Sequence, residues 1–72
     1  MTAKEAYEYA LKIKAPFPEG EALIATDAAY SYCYARDVLQ APFPLGEKVI
    51  VKDKNLHQRY IKLFPKPAFF KY

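Results

Sequence analysis

Cysteine, glycine and long apolar stretches are all scarce in this 72-residue chain. The lone cysteine, Cys33, has no partner for an internal disulfide, and no Cys/His cluster offers a structural metal site. A domain this short buries only about 60% of its unfolded surface and is marginal without such a staple. No apolar run approaches the roughly 18 residues of a membrane-spanning helix. The N-terminal Met1-Thr2-Ala3-Lys4-Glu5 leads into a charged segment and lacks the apolar core of a signal peptide. The expectation is one small domain, cytoplasmic and not membrane-bound, as a single unpaired thiol also suits. Acidic residues are missing from the last quarter. Residues 54–72 carry Lys54, Arg59, Lys62, Lys66 and Lys71 with no acid, whereas residues 1–53 carry six basic and eight acidic residues. All of the surplus positive charge therefore lies at one end, which bears on the choice of partner.

Aromatic area is abundant instead. Seven tyrosines and five phenylalanines each can bury on the order of 150–250 Å². They sit in a repeat. Ala15-Pro16-Phe17-Pro18-Glu19-Gly20-Glu21-Ala22-Leu23-Ile24-Ala25-Thr26-Asp27 recurs 26 residues later as Ala41-Pro42-Phe43-Pro44-Leu45-Gly46-Glu47-Lys48-Val49-Ile50-Val51-Lys52-Asp53, with eight of thirteen positions identical. A fixed period in this range marks stacked supersecondary units. Each unit reads as a longer helix, a Pro-Phe-Pro turn and a short piece ending at Asp.

The first helix is expected over Ala3–Lys14, with Thr2 as N-cap and Glu5 completing a capping box. Pro16 stops it, because a residue before proline is pushed out of the α region. The second runs from Ala28 to about Gln40 after the cap Asp27, and the third from Lys54 to Phe64 after the equivalent cap Asp53. Thr2 fits the same slot with a one-residue adjustment. The apolar arc of the second helix spans about 200° on a wheel of 100° per residue, so it is expected to be central. The third helix confines its apolar residues to a narrower arc and presents Lys54, Asn55, Gln58, Arg59 and Lys62 on the other side, as a terminal helix does. The first is intermediate. Phe17 and Phe43 are expected to plug the space between helices. Lys48-Val49-Ile50-Val51-Lys52 alone would pass for a strand, but its repeat partner around Ala22–Ala25 favours helix, so both are expected helical. The fold class is thus all-α: a helical-repeat domain over residues 1–64, followed by a Pro/aromatic/basic tail over 65–72.

The pattern carried by Tyr32, Tyr34, Ala35, Val38 and Leu39, then Ala41, Pro42, Phe43, Pro44, Gly46, Glu47 and Ile50, resembles short tandem helical repeats of uncharacterised proteins from tailed bacteriophages and some bacteria. The resemblance covers residues 7 to about 60, and the first copy departs from it at Ile13-Lys14. It implies an all-helical repeat and a phage accessory protein working in the host cytoplasm by binding a host protein, with no reaction attached.

Candidate chemistry is thin. Glu21 and Glu47 are repeat-equivalent, whereas an acid–base pair needs two environments that drive the pKa values apart. Their place at the start of short helices explains negative charge there. Gly20 and Gly46 lack the Lys-Ser/Thr of a phosphate loop and read as sites of close packing. Cys33 and His57 lie at non-equivalent positions, with no acid near His57 in sequence, so a nucleophile–base pair is not expected. The chain is read as a non-enzyme that needs no cofactor. The tyrosines are mostly core, with either the Tyr7/Tyr30 or the Tyr9/Tyr32 pair on an outer surface. The tail from Pro65 to Tyr72 is read either as a non-helical cap folded back over the third helix or as a docking element. The residues expected to bind a partner are Lys54, Arg59, Lys62, Lys66, Phe69, Phe70, Lys71 and Tyr72. The partner expected is a host or viral protein with an acidic surface. The alternative is weak nucleic-acid binding, with the same cations on phosphates and the aromatics stacked on bases.

Overall fold

A computed structural model describes residues 1–65. The elements are α1 (Ala3–Ile13), α2 (Pro18–Ile24), α3 (Ala28–Cys33), a π-helical segment continuing it (Tyr34–Leu39), α4 (Pro44–Ile50) and α5 (Lys54–Leu63). No strand occurs among the described residues, and the domain is all-α.

Every expected cap forms. Thr2 and Glu5 close a capping box on α1, and the carboxylates of Asp27 and Asp53 accept from the N–H groups of Tyr30 and Leu56. Both short connectors are helices that begin on proline, Pro18 and Pro44, where the missing N–H costs nothing and φ is already helical. The strand-like Lys48-Val49-Ile50 run is therefore helical, because the proline and the packing outweigh its β-propensity.

The units are not equal in length. Thr2 and Asp27 are 25 residues apart, Asp27 and Asp53 26. The additional residue falls after Tyr34, where the chain widens to a π-helix that carries it to the next turn in register. Sequence periodicity did not reveal this. Two of the three long helices, α1 and the α3–π stretch, end on a non-glycine residue with left-handed backbone, Lys14 (φ 55°) and Gln40 (φ 51°), whose N–H groups return to the carbonyl oxygens of the last turn.

Helix α3 is central, packing on α4, on α1 and on α5. Its continuous stretch buries Ser31, Tyr32, Tyr34 and Ala35, as its broad apolar arc requires. Helix α1 is intermediate, as expected. It buries Ala6 and Ala10, between the four residues buried by the central stretch and the single Tyr60 buried by α5, and it leaves Tyr9, Leu11 and Ile13 exposed. Its small residues let α2 come close: a Cβ built on Gly20 would stand 3.0 Å from the Ala6 Cβ and 2.6 Å from the Phe17 ring. At the equivalent contact, a Cβ on Gly46 would stand 2.6 Å from the Cβ and Oγ of Ser31. The two repeat glycines thus serve helix–helix approach, as expected of them. Ser31 is satisfied by donating to the Ile24 carbonyl at 2.9 Å.

Candidate interaction surface

The repeat builds one side-chain device twice. Tyr34 Oη accepts the Phe17 N–H at 2.9 Å and donates to Glu21 Oε2 at 2.6 Å. Tyr60 Oη accepts the Phe43 N–H at 2.9 Å and donates to Glu47 Oε2. The phenylalanine N–H precedes the first turn of the connector helix and has no carbonyl of its own to bond. The tyrosine of the next long helix satisfies it and, through the same oxygen, ties down the connector's glutamate. Burial, with the Glu21 carboxylate as its partner, pushes the Tyr34 phenol up to about 12. Glu21 and Glu47 are therefore structural partners of tyrosines. The separations, 17 residues for the N–H and 13 for the carboxylate, are the same in both copies. That constancy was the signal available in the sequence; reading each helix on its own wheel passed over it.

A second polar cluster joins α1 to the π-segment. Tyr7 Oη donates to Asp37 Oδ2 at 2.7 Å, and Arg36 grips Asp37 with Nε and Nη2 at 2.7 and 2.8 Å. Bidentate pairing with Arg36 holds the Asp37 carboxyl below its ordinary range. Burial and the Asp37 contact raise the Tyr7 phenol. The Arg36 guanidinium also lies over the Tyr32 ring at 5.2 Å and reaches Cys33 Sγ at 3.8 Å. Cys33 is half-buried and accounted for by this packing. A cavity of about 350 Å³ opens beside the cluster, lined by Asp37 and by both left-handed caps, Lys14 and Gln40. Its one carboxylate is already engaged by Arg36 and Tyr7.

The cations of α5 are placed differently. Lys54, Arg59 and Lys62 are all exposed, with Asn55 and Gln58 between them. Among the described residues, the one salt bridge is Arg36–Asp37, so no carboxylate neutralises the α5 cations within that set. Ile61 and Leu63 are exposed on the same helix. The structure thus brings Lys54, Arg59 and Lys62 together on one element, while Lys66, Phe69, Phe70, Lys71 and Tyr72 lie outside the described residues.

Of the two tyrosine pairs considered for an outer surface, Tyr9/Tyr32 is not one, since Tyr32 is buried and Tyr9 is 44% exposed. Tyr7 and Tyr30 are both half-buried, with their rings 5.5 Å apart. Tyr9 and Tyr32 are not repeat-equivalent: counted from the caps, Tyr9 corresponds to Tyr34 and to Tyr60, each seven residues after its N-cap.

Among the described residues, no group of three or more His, Cys, Asp or Glu side chains is arranged to hold a metal ion. No helix of the described residues is long and apolar enough to cross a membrane. The sequence matches no protein-family model, no curated protein and no solved structure.

Proposed function

We propose that the chain is a non-enzymatic protein-interaction module that docks the basic face of α5 on an acidic surface of a host or viral protein, in the manner of a phage accessory protein. One contrast carries this reading. The glutamates of the repeat and the Arg36–Asp37 pair are engaged within the fold, whereas Lys54, Arg59 and Lys62 project from α5 without an acid among the described residues. Unpaired cations beside exposed Ile61 and Leu63 suit an interface in which charge steers the encounter and apolar contact supplies affinity. The sequence after α5 adds Lys66 and Lys71 with Phe69, Phe70 and Tyr72, the same chemistry extended.

The test is capture from bacterial lysate by the tagged protein and by an Arg59→Glu/Lys62→Glu variant, each with and without nuclease. Both positions are exposed, so the double variant should keep its stability within about 0.5 kcal/mol per site. A protein retained through nuclease treatment and lost on charge reversal supports the proposal. Capture that ignores charge reversal refutes it. Loss of all captured material on nuclease treatment replaces it with nucleic-acid binding by the same cations.

A further inference from the structure

The interior of the repeat shows what covers a tyrosine seven residues after a helix cap, and one such tyrosine is uncovered. Tyr34 and Tyr60 are both fully buried, each under the Phe-Pro-x-Gly-Glu connector that precedes its own helix. Tyr9 stands at the same register of α1, yet nearly half of it is exposed and its hydroxyl makes no hydrogen bond to the described residues. Its ring is already seated in the right place, against Phe17 at 4.7 Å, much as Tyr34 is seated against Phe43 at 4.9 Å.

Other positions report the same open end. Phe43 is 2% exposed, whereas its repeat-equivalent Phe17 is only half-buried. Leu23 on α2 is exposed where its counterpart Val49 on α4 is half-buried. The connector helices α2 and α4 touch each other, so a further connector laid over Tyr9 would also meet α2 and cover Phe17 and Leu23. Ile13, one turn after Tyr9, is likewise exposed.

From this we infer that the Tyr9 face of α1 is a second docking site, across α3 from the basic helix, and that its occupant is a Phe-Pro-x-Gly-Glu turn of a partner polypeptide built from the same repeat. The phenylalanine N–H would be accepted by Tyr9 Oη, and the glutamate would accept from it. A second copy of this chain does not supply that turn in its folded form, because both of its connectors are already held by Tyr34 and Tyr60. The inference does not depend on α5: it concerns a different surface and a different ligand.

The probe is a capped synthetic peptide with the sequence of residues 15–27, added to the isotope-labelled 72-residue chain and followed by NMR. The expected result is saturable movement of the Tyr9 ring and of the amides of residues 8–13. Tyr9→Phe should weaken binding about 5- to 30-fold, as loss of one or two hydrogen bonds implies. A peptide with N-methylated phenylalanine, or with its second glutamate changed to alanine, should lose affinity to a similar degree. Because Tyr9 is exposed, the variant's circular dichroism and melting should match the parent protein. Absence of shifts at millimolar peptide, shifts centred on Tyr34 or Tyr60, or binding indifferent to Tyr9→Phe would overturn the assignment. So would concentration-dependent shifts of Tyr9 in the peptide-free protein with formation of a dimer, which would make a second copy the occupant.

Discussion

A buried phenol oxygen that both accepts and donates is hard to replace, and Tyr34 and Tyr60 each hold one. Removing it leaves an N–H of the connector without an acceptor and a glutamate without that donor. An orphaned buried group costs about 1–3 kcal/mol. Tyr60→Phe is expected at the upper end, since Phe43 and Glu47 are fully enclosed, and Tyr34→Phe lower, since Phe17 and Glu21 are only half-buried. Tyr9→Phe should fall within about 0.5 kcal/mol of the parent protein. Urea unfolding of the three variants ranks them, and equal losses at all three positions would refute the role assigned to the hydroxyl. The same group has a pH signature. The folded protein holds the Tyr34 proton up to about 12, above the ordinary value of 10.0. Its contribution is therefore complete below pH 10 and is lost as pH rises toward 12. The stability gap between the parent and Tyr34→Phe should narrow across that window.

Among the elements, the contacts that set helix spacing involve residues with almost no side chain. Gly20 approaches Ala6, and Gly46 approaches Ser31. Gly46→Ala drives a methyl into the Cβ and Oγ of a fully buried serine, and overpacking of this kind costs about 1–3 kcal/mol. Gly20→Ala meets mainly the ring of half-buried Phe17, which has room to move, so its cost should be smaller. Thermal unfolding of the two variants reads the difference directly, and the reverse order would show that the second connector is the looser one. The π-segment belongs to this scale as well. It absorbs one residue so that Tyr34 and Phe43 both keep their places, nine residues apart where Tyr9 and Phe17 are eight apart. Helix boundaries and caps were legible in the sequence because proline, aspartate and threonine act locally. The widened turn was not, since it answers to where the next connector must land.

For the molecule as a whole, a compact body with a radius of gyration of 11.0 Å rests on few large buried side chains, chiefly Tyr34, Tyr60, Phe43, Ile24 and Ile50. Stability of roughly 0.05–0.15 kcal/mol per residue leaves little reserve in a chain of 72 residues. Phe43→Ala, at about 3–5 kcal/mol for a buried phenylalanine, should unfold a large fraction of the protein at 25 °C, visible as lost helical circular dichroism. Phe17→Ala, at the open end, should remain folded. Retention of full helicity by Phe43→Ala would show that the two units are stabilised independently and not through a shared centre.

The sequence by itself determined the repeat, the all-α class, the caps, the central place of the second long helix and the basic character of the C-terminal quarter. Those follow from residue type and period, which act over a few positions. Only the tertiary structure decided that Glu21 and Glu47 answer to tyrosines 13 residues on, that Tyr34 is covered where its counterpart Tyr9 is not, and that α1 buries alanines while showing its large side chains. Each depends on which faces meet once the units stack. A one-residue change in unit length shifts a helical position by 100°, and a period counted along the chain cannot say where that turn is absorbed.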